Sequence, residues 1–89
     1  MDFEYEANRI VITEGNQEIG EITWAIKDGI MTINHTGVDA NHQGKGLAAQ
    51  LVDRAVELAR KEKLMIDPLC PYVKAKFEKD NQYADVWKR

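Results

Sequence analysis

The chain changes period abruptly around one glycine-punctuated loop, Gln43-Gly44-Lys45-Gly46-Leu47-Ala48, and that change constrains its fold most. Before the loop, apolar residues alternate as in half-buried strands; after it they recur at helical spacing. Two glycines let a ligand approach the backbone with no side chain in the way. A helix starting at Leu47 leaves its first amide N–H groups unpaired at the positive end of its dipole. A loop of this kind feeding a helix is a cradle for phosphate.

In the front half, Arg9-Ile10-Val11-Ile12-Thr13 is rich in β-formers and is followed by a turn signal, Glu14-Gly15-Asn16. Residues 19–27 alternate, with Ile22, Trp24 and Ile26 on one face. Asp28-Gly29 is a two-residue hairpin turn. Residues 30–38 form a further strand, with Met31, Ile33 and His35 on one side and Thr32, Asn34 and Thr36 on the other. These pieces make an antiparallel meander.

Beyond the loop, Leu47, Leu51, Val52, Ala55, Val56 and Ala59 follow a helical repeat, with Glu57 and Lys61 paired four apart. A short strand over residues 64–67 ends at Pro68, and Pro71 suits the first position of a second helix. Val73 and residues 75–77 give that helix an apolar side, and Tyr83 and Trp87 are expected to dock the tail. Strand, helix, strand implies one right-handed parallel crossover. The fold class is α+β (mixed α/β): a meander leading into a strand–helix–strand crossover, with a short C-terminal helix.

At 89 residues, one domain over residues 1–89 is expected. A net charge of −3 argues against a general polyanion binder such as a DNA-coating protein. No apolar stretch approaches the length that crosses a bilayer. Met1-Asp2-Phe3-Glu4 is acidic and lacks the basic-then-apolar order of a signal peptide. The lone Cys70 has no partner for an internal disulfide. The expectation is a soluble cytoplasmic protein with neither nucleic acid nor membrane as partner, and with no metal.

Two familiar phosphate loops can be tested against the residues. A Walker A loop needs Ser or Thr after Gly-Lys; Gly46 stands there and offers no hydroxyl to magnesium. The dinucleotide fingerprint is met in its looser spelling by Gly44, Gly46 and Ala49, with Asp67 near the ribose-binding position. Its glycines should follow a strand directly, yet residues 39–42 intervene, and the chain has room for only one crossover.

A Gln-x-x-Gly-x-Ala loop between a strand and a long helix resembles the pyrophosphate-binding motif of the GNAT superfamily of acyl-CoA-dependent N-acyltransferases. The order of elements is similar over nearly the whole chain. The resemblance extends to a very small subfamily with a Cys-Pro-Tyr-like segment near the C-terminus, here Cys70-Pro71-Tyr72. It implies acetyl-CoA or coenzyme A as cosubstrate. The amides of Lys45, Gly46, Leu47 and Ala48 would face its pyrophosphate, with Gln43 and Gly44 shaping the approach. Thr36, Gly37 and Val38 would offer backbone groups to the pantetheine arm, where this strand splays from the one after the helix. Lys45 and Lys76 are candidate phosphate partners, and a solvated lysine is the plainer reading of each. The superfamily commonly carries an Asn and, seven positions on, a Tyr that protonates the leaving thiolate. Cys70 and Phe77 occupy those places.

Acyl transfer to an amine needs a base, stabilisation of the carbonyl oxygen and a leaving thiolate. His35 is the candidate base, because imidazole titrates in the useful range; the alternative is a histidine packed in the sheet. His42 reads as a surface or phosphate-edge residue. Cys70 is open to three readings: a small buried hydrophobe, a proton donor, or an acyl acceptor. Tyr72 either replaces the missing acid or packs against the first helix. The leading function is therefore an acetyl-CoA-dependent N-acetyltransferase. Its acceptor is an amine of open identity, a protein lysine or a small polyamine fitting a site with only Glu14-Gly15-Asn16-Gln17 expected between the first strands. The alternatives are a coenzyme A-binding module with little catalysis, and a small structural domain whose glycines serve only the turn.

Overall fold

Alternating segments in the front half become four antiparallel strands in the computed structural model, which describes residues 1–89. They are β1 (Asp2–Glu6), β2 (Arg9–Glu14), β3 (Gln17–Lys27) and β4 (Ile30–Val38). Helix α1 (Leu47–Glu62) crosses to β5 (Met65–Pro68), which pairs in parallel with β4. Helix α2 (Pro71–Lys79) follows, and the sheet order is β1-β2-β3-β4-β5.

Strand β1 is an addition to the pattern read from sequence. Three acidic residues among five hide it, and only Phe3 turns toward the core, beneath the Arg54 guanidinium at 3.9 Å. The connection between the first two strands is therefore Ala7-Asn8 rather than Glu14-Gly15-Asn16-Gln17. Asn8 takes a left-handed φ of 63°, which asparagine tolerates better than most residues. Asp28 and Gly29, at φ 54° and 78°, form the β3–β4 hairpin turn.

The apolar stripe of α1 is buried at Leu47, Leu51, Val52, Ala55, Val56 and Ala59, against Ile10, Ile12, Ile22, Trp24, Met31 and Ile33 of the sheet. Ile26 keeps the phase of Ile22 and Trp24, but β2 pairs with β3 only as far as Thr23, so Ile26 is left exposed. Lys63 ends the helix in the left-handed region, its N–H turned back on Ala59 and Arg60. The tail docks as an extra bridge beside β5, where Ile66 N–H donates to Val86 O at 2.6 Å. Tyr83 stacks on Phe77 and donates its hydroxyl to Asp53 Oδ1 at 2.6 Å. Arg60 holds Asp85 through two hydrogen bonds of 3.0 and 2.9 Å.

One irregularity decides what β4 presents. His35 pairs with Thr23, yet Ile33 pairs with the next residue, Trp24, so Asn34 is skipped in the backbone register and meets β3 only through its side chain, whose Oδ1 accepts from Thr23 Oγ1. Such a bulge shifts alternation by one residue. Thr36, opposite Ile22, joins the face of Met31 and Ile33; His35 falls on the other face. The simple alternation that grouped His35 with Met31 and Ile33 is thereby corrected. Pairing of β4 with β5 stops at Ile33 and Pro68, and the last link is Cys70 N–H to Ile33 O at 2.9 Å. Past that point the β5-side edge of β4 is free.

Candidate functional site

The gap left by β4 and β5 is a cleft of about 500 Å³. One wall is Thr36, Gly37 and Val38, the freed end of β4. The opposite wall is Gln43, Gly44, Gly46 and the first turn of α1, Leu47, Ala48 and Ala49. Tyr72 of α2 and His42 complete the lining. Gly44 and Gly46 adopt φ 83° and 75°, and a Cβ on either would meet nothing within 4 Å, so the space above them is open. Gly46 is the N-cap and supplies no side-chain acceptor; the first intrahelical bond is Gln50 N–H to Gly46 O at 3.1 Å. The amides of Leu47, Ala48 and Ala49 are therefore left to an external acceptor. Gln43 Nε2 donates to Val38 O at 3.1 Å and ties the loop to the strand end.

Lys45 and Lys76 do not line the cleft. Lys76 Nζ lies 5.4 Å above the Tyr83 ring. Cys70 is buried just behind the cleft wall as the N-cap of α2, its Sγ 3.8 Å from Thr36 Oγ1. Phe77 is buried in the aromatic stack and carries no acid. Tyr72 is the phenol at the cleft. Burial first, then the charge of Asp53 and the nearby Cys70, hold it above its ordinary pKa, so it remains a proton donor at neutral pH.

His35 is outside this cleft, on the sheet face turned away from α1. Its ring lies over Gly37, where an added Cβ would come within 3.0 Å of Nε2. Nε2 is 3.5 Å from Glu21 Oε2, and the other Glu21 oxygen accepts from Arg9 Nη2 at 2.9 Å. Arg9 also binds Glu18 and Glu6, each at 2.8 Å. A second hollow of about 320 Å³ opens here beside Glu18, Glu21, His35 and Asp39. Gly37 contributes to both hollows, so the imidazole and the cleft are neighbours across one glycine. No group of three or more His, Cys, Asp and Glu side chains is arranged to hold a metal ion.

Sequence reasoning gave His42 a peripheral place; the structure seats it in the lining, between two carboxylates. Nδ1 is 3.1 Å from Asp39 Oδ2 and Nε2 is 3.1 Å from Glu14 Oε1. Asp39 lies three residues upstream and was a readable local signal. Glu14 is 28 residues away and was not.

Residues 4–86 match a family model described as GCN5-related N-acetyl-transferase. A GCN5-like candidate N-acetyltransferase from Staphylococcus aureus is 30% identical, covering 98% of this chain and 87% of its own, with a TM-score of 0.81. Larger structures share the fold. Tetrahymena GCN5 has a TM-score of 0.63 at 18% identity over 80% of this chain and 48% of its own. A Mycobacterium tuberculosis protein in complex with CoA has a TM-score of 0.62 at 18% identity over 80% of this chain and 47% of its own. The chain spans about half the length of those two. No curated protein matches the sequence.

Proposed function

The chain belongs to the GCN5-related N-acetyltransferase family, and from that premise we propose that it transfers the acetyl group of acetyl-CoA directly to an amine. The observation that carries this reading is the cleft itself: uncapped first-turn amides beside two open left-handed glycines, facing a strand edge with no partner. Pyrophosphate fits the amides of Leu47 and Ala48 and the turn formed by Gly44, Lys45 and Gly46, shaped by Gln43. The free backbone of Thr36, Gly37 and Val38 suits an arm rich in amides, which pairs with it as an added strand would.

The acetyl thioester supplies an activated carbonyl; the chain's residues position it and manage protons. His35, on the far side of Gly37, takes the proton of the incoming amine. The new N–C bond forms as the C–S bond breaks, and the departing thiolate accepts a proton from Tyr72 or from the Cys70 thiol behind Thr36. Only Ala7-Asn8 joins the first two strands, so the side of the sheet bearing His35 is open. That openness suits a protein lysine or a small polyamine.

A coenzyme A-binding module with little catalysis is the second reading, favoured by Phe77 where the superfamily's acid commonly stands. Thermal shift with CoA, acetyl-CoA, ATP and NAD tests the cleft. Acetyl-CoA at a hundredfold over Kd should stabilise by about 2.7 kcal/mol, with ATP and NAD far weaker. Turnover on a lysine peptide or spermidine that vanishes in His35→Ala or Cys70→Ala, while CoA still binds, excludes the module; a native protein that binds CoA but acylates neither amine supports it.

A further inference from the structure

His42 lines the cleft, and both of its ring nitrogens are engaged. A neutral imidazole has one N–H and one lone pair, whereas ionised carboxylates only accept. Contacts of 3.1 Å to Asp39 and to Glu14 can therefore both be hydrogen bonds only when the ring is an imidazolium. The two carboxylates belong to separate parts of the fold. Glu14 ends β2. Asp39 follows β4 and is itself anchored: its N–H donates to Ile19 O at 2.7 Å, its carbonyl accepts from His42 N–H at 2.9 Å, and its side chain accepts from Asn41 N–H at 3.1 Å. The short turn Ala40–His42, immediately before Gln43 and the glycines, is thus fastened across the sheet end to β2.

We propose that His42 is a positioning residue for the coenzyme. Its imidazolium fixes the approach to the glycine loop and offsets the charge of two carboxylates beside a phosphate site. This rests on the coenzyme reading of the cleft given above. The charged groups facing the ring are Asp39 on its own turn, Glu14 from β2 and Lys45 from the glycine loop. The hydrogen bonds to Asp39 and then Glu14 raise the imidazole above its ordinary pKa, against desolvation and the Lys45 cation. A raised folded pKa means the tie is complete below about 6.5, the ordinary histidine value, and is lost as pH climbs through the higher folded value. Affinity for the anionic coenzyme should fall in the same direction.

The test is calorimetric titration of CoA into the native chain, His42→Gln and His42→Arg from pH 6.5 to 9, above the second phosphate ionisation near 6. Native Kd should rise about two- to fivefold across that range, the span of one surface charge pair. His42→Gln should bind weakly at every pH. His42→Arg, charged throughout and able to reach both carboxylates, should hold the tighter affinity without the pH dependence. Superimposable native and His42→Gln affinities overturn the proposal. Melting temperatures of the two proteins without ligand give an independent reading: the native advantage should narrow as pH rises, and a constant gap overturns the tie. A narrowing gap with no CoA binding by the native chain defeats the coenzyme reading and the positioning role together. CoA binding with no difference between native and His42→Gln defeats the role of His42 alone.

Discussion

Replacing Gly46 with alanine separates what that glycine does for the fold from what it does for a ligand. Its φ is 75°, and an added Cβ meets nothing within 4 Å. The free protein therefore resists the change only through the left-handed backbone, at about 1–2 kcal/mol for an L-residue. For a domain of this size that lowers Tm by about 4–16 °C. Gly29 is a control within the same chain. Its φ is 78°, its Cβ space is equally empty, and it lies in the β3–β4 hairpin outside the cleft. Gly29→Ala should cost the same stability and leave coenzyme affinity alone. Gly46 lines the cleft, so in Gly46→Ala the new methyl enters space where the cradle reading puts the phosphate. Loss of one charge-assisted amide–phosphate hydrogen bond is about 1.5–3 kcal/mol, or roughly tenfold to a hundredfold in Kd. Calorimetric titration of CoA into all three proteins, below the lowest onset of melting, measures the difference. Native affinity in Gly46→Ala refutes the cradle. Equal weakening in both variants attributes the effect to stability.

Two further substitutions probe the His35 side of β4 and the docked tail. Gly37→Ala carries no left-handed penalty, and its Cβ meets only the His35 imidazole, at 3.0 Å to Nε2. Stability should stay within about 0.5 kcal/mol, while displacement of the base should lower kcat about tenfold; unchanged kcat in a steady-state assay removes His35 from the base role. Tyr83→Phe deletes the 2.6 Å hydrogen bond to Asp53. Asp53 remains exposed to water, so the loss should lie near the lower end for a charged partner, about 1.5 kcal/mol by urea denaturation, and an unchanged midpoint would mean that this bond does not hold the tail.

The parts of this fold legible in the sequence are those written in periodicity. The stripe from Leu47 to Ala59, the Asp28-Gly29 turn and the helix start at Pro71 each follow from local chemistry and appear where that chemistry puts them. Strand β1 was hidden because three of its five residues are acidic; it is held by its antiparallel ladder with β2 and by Phe3 packing under Arg54, a contact made across 51 residues. The bulge was hidden for a different reason: Asn34 is an ordinary polar strand residue until β3 declines to pair with it. In the cleft, the glycine loop and the strand end were readable as a motif. Tyr72 and His42 were left open between a place there and a plainer one, because their placement depends on where α2 and β2 come to rest rather than on their neighbours in the chain.

The skipped Asn34 has a consequence for how this strand can vary. Ahead of it, Met31 and Ile33 answer to the hydrocarbon packed beneath α1, and any change there is felt as lost stability. After it, phase is set by the skipped residue and no longer by the oily pattern. Position 35 is therefore released from the demands of the interior, while Thr36 is turned back toward Ile22 and the buried Cys70. Substitution at position 35 should leave the seating of sheet on helix as it was, so one strand joins a stretch fixed by cohesion to a stretch free to vary.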